Sequence, residues 1–369
     1  MDQISTFLRE RIDAGDFPSA VYLVADKGKI VLQDALGYAV VEPERIEAKV
    51  DTIYDLASLT KVLVTGFLIA KLIEKGEIHL DVRVSIYLKE FDTEGKRMLT
   101  VSDLLTHTSH LPAWKPFYLL DSTSSEVINE IGKTPLNYGP DAVTYGDLNF
   151  IALGTLIEQF TGTSLENAAS DSLFARLSLR NTCFSPTANL KQRMAASEKG
   201  NEYERNMCDE IFPELRIRNV AFRDHVIWGE VHDSNAYFMG GVAGHAGLFS
   251  TTVETFKIAQ EFLPNYTTLL KPETCQLFRT NFTQGMNEDR SFAFQLASTP
   301  NSTAGRKMSP ESFGHLGFTG TSLWIDPVKQ RIFILLTNRT HNHALPFANI
   351  NSVRRKFHDL AIDLLDKNS

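Results

Sequence analysis

The sequence is poor in cysteine, and it has neither a long apolar run nor a dense basic cluster. Its three cysteines, Cys183, Cys208 and Cys275, lie 25 or more residues apart and form no CxxC pair. Such a scattered, odd set argues against a disulfide framework or a zinc ribbon and is compatible with a reducing compartment. The longest apolar run, residues 62–70, is closed by a lysine at each end and is too short to cross a bilayer.

Charge and short motifs exclude further classes of function. The chain has 37 basic and 45 acidic residues, and no dense run of lysine and arginine. We therefore expect neither nucleic acid nor an anionic membrane as a partner. No GxxxxGK[ST] occurs and no GxGxxG follows a strand, so a nucleotide cofactor has no support. The acidic N-terminus does not resemble a signal peptide, and we expect a cytoplasmic protein unless a leader was removed.

The two ends of the chain carry matching patterns, each with a helical segment and a pair of apolar, partly β-branched runs. The helical patterns cover residues 4–12 and 350–364, and the strand-like runs cover 20–25, 29–38, 321–325 and 331–337. These patterns predict a sheet lobe built from both termini, residues 1–74 and 291–369, with a helix from each end packed on it. Residues 75–290 predict a mostly helical lobe inserted into the same domain, with a cleft between the lobes.

Ser58-Leu59-Thr60-Lys61 is the first candidate for chemistry. A serine hydroxyl is a weak nucleophile unless a base lies within hydrogen-bond reach, and three residues of helix place two side chains on one face. A very apolar helix follows Lys61, so we expect burial to lower the pKa of this lysine and make it a base. Ser58 at the helix start would leave its N–H free to bind an oxyanion. The competing interpretation is chance, because a Ser-x-x-Lys occurs about once in a chain of this size.

Two further elements could complete such a site. Tyr145-Gly146-Asp147 would supply a phenol that shuttles a proton, and a carboxylate that holds Lys61 or a substrate amide. Its alternative is an ordinary helix N-cap by Asp147, and both roles can hold at once. Residues 314–320, which include His315, would let an acyl group lie along a strand edge beside an oxyanion-binding N–H. Their alternative is a glycine-rich turn with an incidental histidine.

Taken in this order and at these intervals, the three elements resemble the serine β-lactamase and penicillin-binding-protein superfamily, in its class C-like branch of esterases and D-aminopeptidases. The resemblance covers nearly the whole chain and extends to residues 55–61, 104–109, 247–251 and 318–324. It implies an α/β fold of the α+β kind: an antiparallel sheet flanked by helices, plus an inserted, mostly helical lobe.

The resemblance also implies roles. Ser58 would be the acylated nucleophile, Lys61 its partner, and Tyr145 the general base for acylation and the acid toward the leaving group. His315 would orient the substrate and Tyr145. The oxyanion hole would use the backbone N–H groups of Ser58 and Phe318, with substrate also contacting Gly317.

Departures from the family pattern argue against a function in antibiotic resistance. Asp147 replaces an asparagine, Leu316 replaces a threonine, and His315 replaces a permanently charged lysine that would bind a β-lactam carboxylate. His110 stands where the family usually has glycine. These differences favour an esterase, an amidase or a peptidase.

Residues 228–235 and 240–247 resemble a subgroup of penicillin-binding protein 4B-like proteins and amidases of peptidoglycan-fragment recycling. Within them His245 is a candidate wall residue of the cleft, and His232 with Asp233 a candidate polar clamp on the substrate. The alternative is a glycine-rich loop whose histidine and aspartate cap one another. A metal site from these three residues lacks known ligand spacing, so we predict no metal. We interpret His107 and His110 as loop histidines.

The prediction is therefore a serine hydrolase that cleaves a small-molecule ester or amide through an acyl-enzyme on Ser58, without a cofactor; peptidoglycan fragments are one candidate substrate class. Within enzymes, the alternatives are a D-Ala-D-Ala-type carboxypeptidase and a weak β-lactamase. From another class, the alternative is a non-catalytic penicillin-recognising protein, which would bind ligand without a covalent adduct. The sequence sets no oligomeric state.

Overall fold

The computed structural model describes residues 3–120, 122–137, 142–213 and 222–367. Its α-helices are α1 (Gln3–Asp13), α2 (Phe67–Glu74), α3 (Val84–Tyr87), α4 (Val101–Thr106), α5 (Val127–Lys133), α6 (Asp147–Thr161), α7 (Leu165–Ala169), α8 (Glu202–Ile211), α9 (Ser234–Phe238), α10 (Thr252–Gln260) and α11 (Asn351–Lys367). Its strands are β1 (Ser19–Asp26), β2 (Lys29–Val40), β3 (Ile46–Glu47), β4 (Tyr54–Asp55), β5 (Phe249–Ser250), β6 (Gln295–Leu296), β7 (Phe313–Leu316), β8 (Ser322–Asp326) and β9 (Arg331–Thr337). A π-helical turn, Lys61–Gly66, leads directly into α2.

A seven-stranded antiparallel sheet joins the two ends of the chain. Its strand order is β3-β2-β1-β9-β8-β7-β6, so β1 pairs with β2 on one side and with β9 on the other. The register runs from Ala20 opposite Thr337 to Asp26 opposite Arg331. The α/β, α+β-type fold with an antiparallel sheet flanked by helices is thereby confirmed.

The alternation of side chains along β1 separates two cores. Tyr22 and Val24 face α1 and α11, where they meet residues such as Phe357, whose ring lies edge-on to Tyr22 at 5.8 Å between centroids. Val21 and Leu23 face the larger core, which contains the π-helical turn, α2 and α6. A strand has a side-chain period of two, so a strand that is buried on both faces reads as a continuous apolar run.

The fold brings three parts of the sequence to one end of the sheet: the turn before Lys61, the loop before α6, and strand β7 with the turn that follows it. His315 lies within β7 and not in a turn, which corrects the alternative of a glycine-rich turn with an incidental histidine. No helix in the described ranges has the length and apolar character that a bilayer crossing requires.

Candidate active site

Ser58 lies on a tightly held turn immediately before the helix that contains Lys61. Ala57, the preceding residue, has a φ of 48°, and its N–H donates to the carboxylate of Asp55 at 2.8 Å. Thr60 Oγ1 donates to the carbonyl of Ala57 at 2.6 Å, and the N–H of Leu56 donates to the carbonyl of Leu248. These bonds fix the strained turn, which presents the half-buried Ser58 to a pocket.

Lys61 is fully buried and donates to three acceptors. Its Nζ lies 3.0 Å from Ser58 Oγ, 2.7 Å from Asp147 Oδ1 and 3.0 Å from the carbonyl oxygen of His245. Burial alone would lower the pKa of Lys61, but the Asp147 carboxylate and the Tyr145 phenol outweigh it, so the pKa of Lys61 is raised. Lys61 is therefore an ammonium, and the prediction of a lowered lysine pKa is wrong because Asp147 supplies a counter-charge.

Asp147 is the first residue of α6, and it does not cap that helix. The N-cap position is Gly146, without a side-chain hydrogen bond, while the Asp147 N–H donates to the carbonyl of Ala113 at 2.8 Å. The N-cap alternative is therefore wrong, since the carboxylate bonds to Lys61 instead. A Cβ on Gly146 would lie 2.7 Å from the Cα of Ala113, so only glycine permits this close approach.

Tyr145 stands among buried, basic side chains. Its ring centroid lies 4.8 Å from that of His107 and 5.5 Å from that of His315. Lys61 Nζ and Arg290 Cζ lie 5.3 and 5.2 Å from the same centroid. Tyr145 is 36% exposed and lines the pocket, so its phenol can meet a ligand.

His315 is held as a neutral imidazole. Its Nδ1 lies 2.8 Å from the carbonyl oxygen of Leu316, to which it donates. Burial lowers the pKa of His315 well below its ordinary value of 6.5, and the positive charges of Arg290 and Lys61 act in the same direction. At neutral pH this position therefore carries no charge of its own.

The backbone N–H groups of Ser58 and Phe318 border the pocket, and neither meets a hydrogen-bond acceptor within the part of the chain that the structure describes. Gly317 brings the two segments together, because a Cβ there would lie 2.5 Å from the carbonyl oxygen of Leu56. Two free amides beside a serine hydroxyl are donors of the kind that can stabilise a tetrahedral oxyanion.

The pocket around Ser58 has a volume of about 550 Å³. The residues that line it come from both the sheet and the helical segments: Ala57, Ser58, Ala113, Trp114, Tyr145, Gly146, Asp147, Tyr203, Glu204, Met207, His232, Asp233, Ala246, Arg290, Gln295, His315, Leu316, Gly317, Phe318, Arg339 and Arg354. The volume suits a small ligand.

His232, Asp233 and His245 do not form the predicted arrangement. His232 bonds through Nε2 to Glu198 at 2.8 Å, and its ring stacks on that of Phe318 with 5.4 Å between centroids. Asp233 bonds to His245 Nε2 at 3.0 Å and caps α9, so the histidine of the glycine-rich loop and the aspartate do bond to one another, as the alternative interpretation has it. His232 and Asp233 both line the pocket, whereas His245 lies behind Asp233 and is not the predicted wall residue.

Hydrogen-bond partners and nearby charges also shift the pKa values of His232 and Asp233. Burial would lower the pKa of His232, but its hydrogen bond to Glu198 raises it. Burial would raise the pKa of Asp233, yet the charge and hydrogen bond of His245 lower it. Asp233 therefore stays ionised and leaves a carboxylate facing the pocket.

Ligand atoms of Asp147, Asp233 and His245 all lie within 4.8 Å of one another, which is close enough to consider a metal ion. The Lys61 ammonium already bonds to Asp147 at 2.7 Å and supplies the positive charge there. The donor set does not fit a metal while this ammonium is present, because two buried cations would repel each other.

Sequence reasoning missed Arg290, Tyr203, Glu204 and Trp114, all of which line the pocket. They lie in segments that match no motif, so only the folded chain shows that they converge. His107 follows α4 as its C-cap in a turn, as a loop histidine would, but it is fully buried against Tyr145. Its place within residues 104–109, which carry part of the family resemblance, was the available signal.

Comparison with known proteins agrees with this geometry. The family model described as Beta-lactamase matches residues 4–354. A protein of Escherichia coli (strain K12) named "Putative D-alanyl-D-alanine carboxypeptidase" is 31% identical over 370 residues, which cover 93% of this chain and 83% of that protein. Its namesake in Salmonella typhimurium is 33% identical over 383 residues, covering 95% of this chain and 84% of that one.

Solved structures share the fold at lower identity. EstCE1, described as a hydrolase with promiscuous acyltransferase activity, superimposes with a TM-score of 0.73 at 20% identity, covering 97% of each chain. A class C beta-lactamase from Rhodobacter sphaeroides superimposes with a TM-score of 0.74 at 17% identity, covering 98% of this chain and 99% of that one.

Proposed function

The chain belongs to the beta-lactamase family and is a serine hydrolase, and from this premise we propose that it cleaves an ester or amide through an acyl-enzyme on Ser58. The observation that carries the proposal is the 3.0 Å contact between Lys61 Nζ and Ser58 Oγ, made at a pocket that Tyr145 also lines. A nucleophile and a cation from one segment and a phenol from another meet at one pocket.

Acylation begins with attack of Ser58 Oγ on the carbonyl carbon of the substrate. Lys61 cannot accept the serine proton, since it is an ammonium that already donates to three oxygens. As general base, Tyr145 takes part in this step as a phenolate, and the serine proton converts it to a phenol; the cations Lys61 and Arg290 lie 5.3 and 5.2 Å from its ring centroid. The oxyanion is bound by the N–H groups of Ser58 and Phe318.

Collapse of the tetrahedral intermediate breaks the bond to the leaving group, which takes the proton back from Tyr145. Water then attacks the acyl-serine ester and gives its proton to the phenolate of Tyr145. The bond between the acyl carbon and Ser58 Oγ breaks, Oγ takes that proton back from Tyr145, and the carboxylic acid leaves. Neutral His315 lies beside Tyr145 and orients the phenol and the substrate without adding a charge. The remaining substrate contacts come from Asp147, Gly317, His232 and Asp233. His245 acts indirectly, because its carbonyl oxygen accepts from Lys61 and its Nε2 bonds to Asp233.

The test is Ser58→Ala in the full chain. We expect this variant to lose p-nitrophenyl acetate hydrolysis and fluorophosphonate labelling while its Tm stays within about 2 °C of wild type, because a half-buried hydroxyl contributes little to folding. Ser125→Ala, at an exposed serine outside the pocket, is the matched control and should keep full activity.

Two outcomes contradict the proposal. Full turnover by Ser58→Ala would mean that another nucleophile acts. Tight binding of a penicillin without a covalent adduct in intact-protein mass spectrometry, together with no ester turnover, would instead support the non-catalytic alternative.

The second candidate is a D-alanyl-D-alanine carboxypeptidase, the activity in the name of the Escherichia coli relative. It is favoured by Arg290, which is only 4% exposed, lines the pocket beside Tyr145, and pairs with Glu288 through one nitrogen, at 2.9 Å. A guanidinium at this place can bind the terminal carboxylate of a leaving D-alanine. A cytoplasmic location stays a prediction, supported by three free cysteines.

A peptide ending in D-Ala-D-Ala, its C-terminal amide, p-nitrophenyl acetate and nitrocefin separate the candidates. A carboxypeptidase should prefer the free acid over the amide, an esterase should turn over only the ester, and a weak β-lactamase should open nitrocefin. Equal rates on the acid and the amide would remove the carboxypeptidase candidate.

A further inference from the structure

His107 connects the end of α4 to the loop that carries Tyr145 and Asp147. The helix ends at Thr106, and its C-cap residue, His107, adopts the left-handed conformation with φ 61° and ψ 33°. Its carbonyl oxygen accepts from the N–H of Thr144 at 2.9 Å, and its side chain is completely buried. The backbone bond therefore fixes the residue that precedes Tyr145.

The imidazole of His107 makes two further contacts to the same loop and helix. Its Nδ1 accepts from the N–H of Gly146 at 3.2 Å and lies 3.3 Å from Asn149 Nδ2. Asn149 is oriented independently, because its Oδ1 accepts from Ser109 Oγ at 2.5 Å and leaves its NH2 to face His107. Since donors occupy Nδ1, the ring hydrogen lies on Nε2 and the imidazole is neutral.

Ring packing places the same imidazole against the phenol. His107 lies between Tyr145 and Phe150, with centroid distances of 4.8 and 5.1 Å. One side chain therefore contacts the ring of Tyr145, the backbone between Tyr145 and Asp147, and the first turns of α6.

The charges around His107 keep it in this form. Burial lowers its pKa well below 6.5, and the nearby Arg290, Lys61 and His315 add to the effect. A proton on Nδ1 would replace an acceptor by a donor and break the bonds to Gly146 and Asn149.

We propose that His107 is a positioning residue for hydrolysis: its Nδ1 holds the Tyr145–Asp147 loop, so that the phenol and the Lys61 counter-ion face Ser58. The inference rests on the proposed function, because it assumes that Tyr145 transfers the serine proton. His107 touches no substrate and acts through Tyr145 and Asp147.

The experiment compares two uncharged substitutions in the full chain. In His107→Asn the amide oxygen falls near the position of Nδ1, and asparagine tolerates the left-handed backbone. In His107→Gln the amide lies farther out and no acceptor remains at that position. We expect kcat for p-nitrophenyl acetate to fall about 10- to 100-fold in His107→Gln with KM within about 3-fold, and to stay within about 5-fold of wild type in His107→Asn.

The matched control is His341, another buried histidine that bonds to two backbone groups, the N–H of Val41 and the carbonyl of Ser197. His341 does not line the pocket, so His341→Gln should lower the Tm and leave kcat unchanged. If His107→Gln does not fold, His107→Gly, which suits the left-handed backbone and has no acceptor, replaces it in the comparison with His107→Asn.

Equal kcat in His107→Gln and His107→Asn, whether both are active or both impaired, would overturn the inference. A loss of activity in His107→Gln that lies entirely in KM would also overturn the inference. These results differ from failure of the proposed function, in which wild type itself would show no hydrolysis that depends on Ser58.

Discussion

At the scale of single residues, the ion pair between Lys61 and Asp147 decides how the site can work. The pair is asymmetric, since the lysine is fully buried and the aspartate is 19% exposed at the pocket. A buried ammonium without its carboxylate is unfavourable, so Asp147 determines the protonation state of the amine. An asparagine at this position would leave that charge uncompensated.

Asp147→Asn should therefore change the pH dependence of acylation. With the carboxylate removed, burial dominates and the pKa of Lys61 falls. The limb of the pH–rate profile that reports the ionisation of Lys61 therefore moves toward lower pH. The rate of fluorophosphonate labelling at Ser58, measured from pH 5 to 10, checks this shift.

The control is Asp171→Asn, which removes the same charge at an exposed position outside the pocket and should leave the profile unchanged. A profile of Asp147→Asn that coincides with wild type would show that Asp147 does not set the charge of Lys61.

The same residues show what the sequence can predict. Ser58 and Lys61 are three positions apart, so their proximity follows from local helical geometry. The charge state of Lys61 does not, because Asp147 comes from 86 positions away. Arg290 and Glu198 were unpredictable for the same reason: their partners in the site are distant in sequence, and neither lies in a recognisable motif.

At the scale of elements, the approach of residues 240–247 to α6 positions the Lys61 acceptor. A Cβ on Gly244 would lie 2.0 Å from the carbonyl oxygen of Phe150 in α6. Gly244 also accepts a hydrogen bond from Thr65 Oγ1 at 2.7 Å, and the next carbonyl, that of His245, receives Lys61 Nζ. The packing of residues 240–247 against α6 therefore sets the position of a carbonyl oxygen that accepts from Lys61.

Gly244→Ala should separate this segment from α6 and displace the His245 carbonyl. We expect a loss of stability of about 2–4 kcal/mol and a fall in kcat of at least 10-fold, measured by urea unfolding and ester hydrolysis. Gly154→Ala, whose Cβ would lie 3.1 Å from the Cα of Gly244, needs a smaller adjustment and should be milder on both counts. An equal or larger effect of Gly154→Ala would contradict this account.

Regular elements were easier to predict than the site. The helical periodicities near the two termini and the strand runs at 20–25 and 331–337 correspond to α1, α11, β1 and β9, because each buries a face that its own period defines. The short strand β7 overlaps residues 314–320, for which a glycine-rich turn was the alternative interpretation, and only one glycine, Gly314, lies within the strand. In the structure, Gly314 lies under the ring of Trp324, where a Cβ would come within 2.3 Å of that ring.

At the scale of the whole molecule, buried neutral histidines make the folded state sensitive to acid. The pKa values of His107, His315 and His341 are lowered by burial, and that of His358 is lowered to about 3. The unfolded chain binds these protons near pH 6.5, whereas the folded chain does not. Stability is therefore lost as the pH falls below 6.5, by about 1.4 kcal/mol per pH unit for each such histidine.

We expect the free energy of unfolding to be several kcal/mol lower at pH 5.5 than at pH 7.5 in urea titrations. His358→Asn should reduce that difference by about 1.4 kcal/mol, because one proton is removed from the linkage. The same substitution at the exposed His79 should not reduce it. A pH dependence that is identical in wild type and His358→Asn would contradict this explanation.

The pairing of β1 with β9 has a consequence for the order in which the protein matures. The N–H of Ser19 bonds to Asn338 Oδ1 across 319 positions, and Phe318 and His315 come from the same late stretch. A chain still being translated through its helical portion already displays the serine and the lysine, but it lacks the second oxyanion amide and the central neighbour of its first strand. We therefore expect the nascent chain to stay inert toward acyl compounds until its closing strands have been synthesised.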